Sequence, residues 1–318
     1  MRSVMLGTGA YLPERVVTNH DLEKTIDTSD SWIRERTGIT RRHVAAEGQN
    51  TSHLATNAAN DALRNTGIDP TTLDLLIVAT STPDDTMPAT AVKVQHAIGM
   101  TGGAAFDINA ACSGFVYATT LADASIRSGQ GKRVMVIGAE TYSRILDWED
   151  RTTCILFGDG AAAVIYEGQE NTDRGVLHSF MRSDGQYVGL LGTTGGVAST
   201  QQAGKLFMAG KEVFRHAVPK MSAAVEEALQ QAGLTVADID WLVPHQANLR
   251  IMSSVAQKLG VGEGKVVSTV PIHANTSGAS IPLALHVART DGRLKNRQIV
   301  ACPALGAGFT WGACLFCA

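Results

Sequence analysis

Cys112 is a reactive side chain in a setting that would activate it. The run Phe106–Phe115 has the pattern of an apolar strand, a turn of small residues and then a helix, which puts Cys112 at the helix N-terminus. Unpaired amides and the helix dipole stabilise a thiolate there, so a pKa lowered from about 8.5 to about 7 would leave about half of the thiol ionised at pH 7. The same amides can hold an oxyanion when the sulfur attacks a carbonyl. Alternatively, Cys112 is a buried small apolar residue at a helix–strand contact.

Three polar side chains in the second half of the chain suit the same chemistry. His245 ends a short apolar strand, Trp241–Pro244, and strand ends of this kind carry the sites of open α/β sheets. His273 and Asn275 follow a predicted strand at 265–270 and precede a helix. Histidine and asparagine donate hydrogen bonds to a carbonyl or enolate oxygen, and cysteine carries an acyl group. Either histidine alone could be structural, but the combination of Cys, His and Asn at three strand ends favours acyl transfer.

The chain also repeats a pattern of short segments in the same order. The matches are Thr66–Val78 with Ala232–Pro244, Ile98–Met100 with Leu259–Val261, and Cys112–Gly114 with Thr276–Gly278. Two duplicated α/β halves would place Cys112 and Asn275 at related corners of one cleft, although chance similarity between βα units is the alternative. We predict a first half at residues 1–170, which carries the cysteine, and a second at residues 171–318, which carries the histidine and the asparagine.

Turn residues and apolar periodicity predict the elements of the first half. Strands are expected near 2–9, 74–80, 104–108, 133–138 and 154–166, with helices near 51–66, 88–99 and 112–129. The glycine-rich stretch Gly189–Thr200 is interpreted as a cap over an entrance, or alternatively as a disordered surface loop. Cys314–Cys317 is interpreted as part of a C-terminal strand, because no second cysteine pair exists to complete a zinc site.

Composition narrows the class of protein. The chain has 318 residues, 44% of them hydrophobic, and a formal net charge of −3, which is too small to indicate a nucleic-acid or general membrane-binding surface. No run of about 20 apolar residues could span a bilayer, and the chain begins without a signal peptide. Five cysteines are an odd number in a large chain and argue against a disulfide framework. We therefore expect a soluble, cytoplasmic protein.

Several segments together resemble a known family over essentially the whole chain. They are Gly7–Pro13, Thr28–Ile33, Arg36–Ile39, Ala111–Phe115, Phe157–Ala161, Val243–Arg250, Asn275–Ser277 and Gly308–Gly312. With these segments the chain resembles the β-ketoacyl-acyl-carrier-protein synthase III enzymes of bacterial fatty-acid synthesis, which belong to the thiolase-like superfamily. The resemblance implies an α/β protein with the thiolase-like five-layered αβαβα fold, built from two duplicated halves and assembled as a homodimer.

The resemblance also implies a mechanism and its residues. Cys112 would take the acyl group of a short acyl-CoA, with the backbone amides of Cys112 and Ala307 as the oxyanion hole. His245 and Asn275 would then hold the enolate formed when malonyl-acyl carrier protein loses carbon dioxide, and the carbanion would attack the acyl-cysteine. This chemistry needs no metal, flavin or nicotinamide.

Binding roles carry over where the motifs match. Trp32 and Arg151 would enclose the CoA adenine, with Arg36 near the phosphates. Asn248 would support the active site. The remaining assignments are an acyl pocket of Met87, given to the partner subunit, with Phe157 and Leu305, and a basic rim for the carrier protein of Arg215, Arg250 and Lys258. Taken alone, Trp32 could be a packing residue and the basic residues solvated charges.

The chain departs from the family pattern close to the chemistry. Gly306–Ala307–Gly308 replaces three consecutive glycines, so a methyl group would crowd the oxyanion turn or disfavour a positive φ. Pro303 and Leu305 replace the family's usual Glu and Phe. Ala274 replaces a glycine, and Met87 replaces an aromatic residue. Three hypotheses follow: a synthase III, in primary metabolism or in a specialised pathway with another starter; an acyltransferase of this fold that uses an oxygen or nitrogen acceptor; and a non-catalytic partner subunit.

Overall fold

The computed structural model describes residues 1–318 as thirteen β-strands and ten α-helices, joined by turns and short 3₁₀ helices. The strands are β1 (Arg2–Tyr11), β2 (Val16–Thr18), β3 (Arg41–His43), β4 (Leu75–Ala79), β5 (Ala104–Ile108), β6 (Arg133–Glu140), β7 (Gly160–Gln169), β8 (Gly175–Ser183), β9 (Leu191–Thr193), β10 (Leu206–Met208), β11 (Trp241–Leu242), β12 (Ile299–Gly306) and β13 (Thr310–Cys317). The helices are α1 (Asn19–Leu22), α2 (Asp30–Thr37), α3 (Thr51–Thr66), α4 (Thr90–Ala97), α5 (Gly114–Arg127), α6 (Val197–Thr200), α7 (Gly210–Ala232), α8 (Leu249–Leu259), α9 (Val270–His273) and α10 (Ser280–Thr290).

The first large sheet has five strands in the order β1-β7-β6-β4-β5. β4 pairs in parallel with β5 and with β6, whereas β7 runs antiparallel to both of its neighbours. Both faces of this sheet are covered, because successive side chains of β6 enter different cores. Val134 and Val136 pack toward the second sheet, and Met135 and Ile137 pack toward α3 and α4.

The second large sheet repeats this arrangement with four strands in the order β11-β12-β13-β8. β11 and β12 are parallel, and β13 is antiparallel to both neighbours, as in the first sheet. A single parallel bridge between Leu242 and Val266 stands where β5 stands in the first sheet. The topology is therefore duplicated. The boundary that we predicted at residues 170 and 171 lies between β7 and β8, and the division of the chain into two units at that point stays a prediction.

Helices on both sides of each sheet complete five layers. α3 and α4 pack on the outer face of the first sheet, and α7 and α8 lie with the outer face of the second. Between the sheets lie α5 and α10, whose apolar side chains share one core with residues from both sheets. This is the αβαβα architecture expected from the resemblance, and the fold class is confirmed. No helix combines the length and the apolar character that crossing a membrane requires.

Three predicted elements differ from the structure. The strand expected at 154–166 begins only at Gly160, because residues before it form turns that hold Asn275. The strand expected at 265–270 makes only the Val266 bridge, since the Gln246 side chain takes its backbone partners: it accepts from the amides of Thr269 and Val270 at 2.8 and 3.2 Å and donates to the Val267 carbonyl. The stretch 189–200 is not a disordered loop, because it contains β9, paired with β10, and α6; its role as a cap over an entrance stays a prediction.

Candidate active site

The turn that carries Cys112 joins β5 to α5 and is fixed by the hairpin of the second half. Residues Ala111–Ser113 form a single 3₁₀ turn, after which α5 begins at Gly114. The Ser113 hydroxyl donates to the Thr310 carbonyl at 2.9 Å, and the Thr310 hydroxyl donates to the Ala110 carbonyl at 2.8 Å. The nucleophile position in the first half is thereby tied to the first residue of β13 in the second.

Gly306 is required by the closeness of the two halves at this point. A β-carbon on Gly306 would stand 2.7 Å from the Cys112 amide nitrogen and 2.8 Å from the Ala110 carbonyl oxygen, both of them backbone atoms. The amides of Cys112 and Ala307 have no hydrogen-bond partner within the protein. Positive φ occurs at six non-glycine residues, and Ala307 is not among them. The methyl group of Ala307 therefore brings no left-handed strain, contrary to one of the two consequences that we expected.

Strain does occur at Ala274, another of the departures from the family pattern. Its φ of 59° and ψ of −162° lie at the edge of a region that glycine alone populates freely. This conformation places Asn275, the next residue, in the parallel bridge with Phe157.

Burial dominates the chemistry of the Cys112 thiol. Removal from water raises its pKa to about 12, the neighbouring Ser277 hydroxyl opposes that rise, and the Glu140 carboxylate adds to it. Burial therefore opposes the ionisation that we predicted from the helix terminus, and the pKa shifts upward where we predicted a downward shift.

His245 is held so that one ring nitrogen remains for the cavity. Its amide donates to the Pro303 carbonyl at 2.9 Å, and Nδ1 lies 2.7 Å from the Ser280 hydroxyl. Ser280 Oγ also accepts from the Gln246 amide at 3.3 Å, and no other group accepts the Ser280 proton. The hydroxyl therefore donates to Nδ1, which leaves the histidine proton on Nε2. Burial lowers the pKa of His245 to about 3, so the ring is a neutral hydrogen-bond donor.

Asn275 is fixed at its backbone and at its amide oxygen. Its amide donates to the Leu156 carbonyl at 2.9 Å, and its carbonyl accepts from Gly158 at 3.0 Å. Oδ1 accepts from the Ser277 amide at 2.8 Å. These contacts leave Nδ2 as the free donor of the side chain.

A single cavity brings these three groups together. Cys112, His245 and Asn275, hereafter the triad, line a cavity of about 430 Å³ whose other walls are mainly apolar. Predicted residues that share it are Arg36, Phe157, Asn248, Arg250 and Leu305. Leu191 and Ala247, from segments that the sequence marked, also line it. Residues that the sequence did not mark complete the wall: Leu156, Met208, Gly210, Lys211, Val213, Phe214, Ala217, Met221 and Ile251.

The residues assigned to CoA form a stack beside the cavity. The guanidinium of Arg36 lies 4.3 Å from the centre of the Trp32 ring, and that of Arg151 lies 5.3 Å from it. Arg151 is also paired with Asp27 at 3.0 Å. Asn248 caps α8, since its side chain accepts from the Ile251 amide at 3.0 Å. Asn248 therefore lies at the cavity wall as the N-cap residue of α8.

Besides Trp32, Arg151 and Ala307, four predicted residues lie outside the cavity wall. Met87 is 79% exposed, and its place in the acyl pocket of a partner subunit stays a prediction. Arg215 is exposed and paired with Glu212 at 2.6 Å, and Lys258 lies in the last turn of α8. His273 is buried, its Nδ1 has no partner, and its ring lies 6.4 Å from that of His43. It is a structural residue, not a member of the triad.

Comparisons with known proteins extend over the whole chain. Family models for 3-oxoacyl-acyl-carrier-protein synthase III match residues 106–185 and, for its C-terminal part, 229–317. A β-ketoacyl-acyl-carrier-protein synthase III of Rhizobium rhizogenes is 57% identical, with 99% of each chain covered. The crystal structure of a 3-oxoacyl-acyl-carrier-protein synthase III from Aquifex aeolicus superposes with a TM-score of 0.95 at 44% identity, covering 99% of this chain and 100% of that one. The crystal structure of a priming β-ketosynthase from the R1128 polyketide pathway superposes with a TM-score of 0.94 at 34% sequence identity, covering 99% of this chain and 96% of that one.

The duplicated five-layered fold and a Cys, His and Asn on one cavity define the class of thiolase-like condensing enzymes. Within that class, the chain belongs to the 3-oxoacyl-acyl-carrier-protein synthase III family, in which 3-oxoacyl and β-ketoacyl name the same group. The resemblance predicted from the sequence is confirmed, and so is the expectation of an acyltransferase.

Proposed function

We propose that this chain initiates fatty-acid synthesis as a β-ketoacyl-acyl-carrier-protein synthase III. It transfers an acyl group from a short acyl-CoA to Cys112 and condenses that group with malonyl-acyl carrier protein, releasing carbon dioxide. The single observation that carries the proposal is that the triad lines one mainly apolar cavity. Relatives named for this activity at 57% identity over nearly full length support it.

In the loading step, sulfur attacks the thioester carbonyl. The unpartnered amides of Cys112 and Ala307 hold the resulting oxyanion, because both belong to turns that meet at Gly306. Exchange of an acyl group between two sulfurs is nearly balanced in energy, so this step is reversible. The acyl chain rests against apolar residues such as Phe157 and Leu305.

In the condensation step, the enolate oxygen of the decarboxylating malonyl group needs hydrogen-bond donors. His245 Nε2 and Asn275 Nδ2 provide them, and a neutral imidazole suits this task since it donates without first losing a proton. Loss of carbon dioxide drives the reaction forward. The carbanion attacks acyl-Cys112, and the product leaves on the carrier protein. No metal, flavin or nicotinamide takes part in this chemistry.

Substrate binding uses the cavity mouth. We propose that the CoA adenine enters between Trp32 and Arg151, while Arg36 contacts phosphates. The 5.3 Å between Arg151 and Trp32 is too narrow for an intervening ring, so the exposed Arg151 swings away from Asp27 when CoA binds. Arg250 lines the cavity and meets the phosphopantetheine of the carrier protein.

Three further basic residues extend the proposed carrier-protein surface. Lys211 lines the cavity beside Arg250, although the sequence did not mark it. Arg215 and Lys258 are outside the cavity wall, and we assign them a longer-range attraction to an acidic carrier protein. That attraction would be weakened by salt, unlike contacts inside the cavity.

We also propose that the enzyme is a cytoplasmic homodimer. β5 is the edge strand of the first sheet, and its Phe106 side chain is 38% exposed. An exposed edge with an aromatic side chain is a ready surface for pairing with a second copy. All five cysteines are free, which suits a reducing compartment.

Separating the two half-reactions tests the triad. Cys112→Ser should abolish acyl loading, measured by intact-protein mass spectrometry after incubation with short acyl-CoAs, because an alcohol is a much weaker acid and a much weaker nucleophile than a thiol. His245→Ala and Asn275→Ala should keep loading but lower carbon dioxide release from malonyl-acyl carrier protein by about 100-fold or more.

Two results would contradict this function. A wild-type enzyme that loads short acyl groups yet releases no carbon dioxide is not a condensing enzyme. Equal losses of loading and release in His245→Ala would contradict the division of labour between the triad residues. The hypothesis of an oxygen or nitrogen acceptor rested on the alanine in the Gly306–Ala307–Gly308 turn. Because Ala307 does not have a positive φ, that alanine does not strain the turn, and the hypothesis loses part of its support.

A further inference from the structure

Gln246 is a completely buried amide whose hydrogen-bonding groups are all in use. Nε2 donates to the Pro244 carbonyl at 2.7 Å and to the Val267 carbonyl at 3.1 Å. Oε1 accepts from the backbone amides of Thr269 and Val270 at 2.8 and 3.2 Å. These neighbours fix which end of the side chain is nitrogen, since carbonyls only accept and backbone amides only donate. The side chain therefore joins two segments of backbone.

The first of these segments carries His245. The Pro244 carbonyl belongs to the peptide group that leads into His245, and the amide of that peptide group donates to the Pro303 carbonyl at 2.9 Å. The backbone amide of Gln246 donates to the Ser280 hydroxyl at 3.3 Å, and the same hydroxyl lies 2.7 Å from His245 Nδ1. Both the backbone and the ring of His245 are therefore held by groups that Gln246 contacts.

The second segment leads through α9 to Asn275. The amides of Thr269 and Val270 stand at the start of α9, where the helix itself offers them no partner, and Gln246 Oε1 accepts from both. The Val270 carbonyl accepts from the Ala274 amide at 3.0 Å, and Ala274 is bonded to Asn275. One hydrogen bond and one helical turn thus connect the Gln246 side chain to Asn275.

The first half of the chain has no such amide, because a strand does the same work there. β4 pairs with β5 over five residue pairs, and this ladder brings the nucleophile turn into place. In the second half the corresponding ladder is the single bridge of Leu242 with Val266, after which the Gln246 side chain replaces the strand partner. Since this amide bonds the segments that lead to His245 and to Asn275, it sets the separation of the two side chains.

We propose that Gln246 is a positioning residue for the condensation step, which keeps His245 Nε2 and Asn275 Nδ2 directed at one oxygen atom. This inference rests on the proposed function, in which both donors bind the enolate. Two donors to a single oxygen must each lie about 3 Å from it, so their separation has little latitude. A misplacement of about 1 Å can cost about 100-fold in rate. Acyl loading at Cys112 uses neither donor and should not depend on Gln246.

Gln246→Met and Gln246→Glu test the proposal by separating the half-reactions. Methionine has a similar length but makes none of these bonds, whereas glutamate keeps the size and donates at most one. Acyl loading, followed by intact-protein mass spectrometry, should stay within about 2-fold of the wild type in both variants. For carbon dioxide release from malonyl-acyl carrier protein, kcat should fall about 10- to 100-fold while KM changes less than about 3-fold. Equal losses in loading and release would show a merely structural role and overturn the proposal.

Two further variants sharpen the comparison. Gln95→Met is the matched control, because the Gln95 amide also donates to a backbone carbonyl, that of Gly103 at 2.7 Å, but lies on α4 at the outer face of the first sheet. It should leave both half-reactions unchanged. In an Asn275→Ala background, Gln246→Met should cost clearly less than in the wild type, since the separation of two donors no longer matters once one is gone. Fully additive losses would contradict the proposal.

The ¹⁵N signals of His245 Nε2 and Asn275 Nδ2 provide a readout that needs no turnover. They should shift in both Gln246 variants and stay in place in Gln95→Met; unshifted signals in the Gln246 variants would overturn the proposal. A wild-type enzyme that releases no carbon dioxide would reject the proposed function, and these signals would still test the positioning. Circular dichroism and thermal midpoints report folding. If neither Gln246 variant folds and loads, the amide supports the fold as a whole and the separate positioning role is rejected.

Discussion

At the scale of single residues, the hydroxyl of Ser280 decides how His245 can act. Ser280→Ala removes the donor to Nδ1, so the histidine proton is no longer confined to Nε2. Carbon dioxide release should fall about 10-fold or more, as for other groups that orient an active-site histidine, while acyl loading is unchanged. The ¹⁵N chemical shifts of His245 report the tautomer directly.

Ser222→Ala is the matched control for that substitution. Ser222 is equally buried, but it lies in α7 and its hydroxyl has no partner. It should therefore leave both half-reactions as they are. If Ser280→Ala also kept full carbon dioxide release and an unchanged ¹⁵N pattern, the hydroxyl would have no part in setting the tautomer.

Residue types revealed the triad but not the groups behind it. Cys112, His245 and Asn275 stand out because each has a chemical use and follows a strand signal. Ser280 gives no such signal, since serine is common and the importance of this one arises only from its burial against the His245 ring. The pKa of Cys112 was mispredicted for the same reason: a helix terminus is readable in sequence, whereas full desolvation of the thiol is not.

At the scale of elements, the β12–β13 hairpin sets the shape of the nucleophile turn. Gly306→Ala would put a β-carbon 2.7 Å from the Cys112 amide nitrogen, so the turn must shift. We expect a loss of about 1–3 kcal/mol in the free energy of unfolding and a clear drop in acyl loading. Chemical denaturation and intact-protein mass spectrometry measure the two effects.

Ala307→Gly provides the comparison one residue along. Because Ala307 does not have a positive φ, restoring the glycine of the family pattern should leave loading nearly unchanged. A large gain of activity in Ala307→Gly would instead show that the methyl group crowds the oxyanion, the second consequence that the sequence suggested.

Element prediction succeeded where periodicity is complete and failed where a side chain replaces a strand partner. β5 matched its predicted bounds, and α3 did so with its N-terminus at Thr51. The apolar run 265–270 has strand composition, yet the Gln246 side chain takes its backbone partners and only one bridge forms. In this segment a side-chain amide, that of Gln246, takes the place of a neighbouring strand. Because Gln246 is distant in the sequence, no local pattern reveals this.

At the scale of the whole molecule, the exposed edge of β5 predicts self-association. Phe106→Lys should convert the proposed dimer to a monomer, because lysine on an edge strand opposes pairing. Light scattering after size-exclusion chromatography measures the mass. Val188→Lys changes another exposed apolar residue, 68% exposed and outside β5, and should leave the mass as in the wild type. Equal masses for all three proteins would place any interface elsewhere.

The shared layer of α5 and α10 bears on the origin of the duplication. Each sheet covers its inner face only with the help of helices and strands from the other half. A protein made of one half alone would leave that face bare in water, so it would need a second copy to cover it. Fusion of two such halves into one chain would make the pairing permanent. One half could then specialise in the nucleophile Cys112, and the other in the hydrogen-bond donors His245 and Asn275. Residues 1–170 expressed alone should accordingly aggregate or dimerise, and a well-behaved monomer would contradict this history.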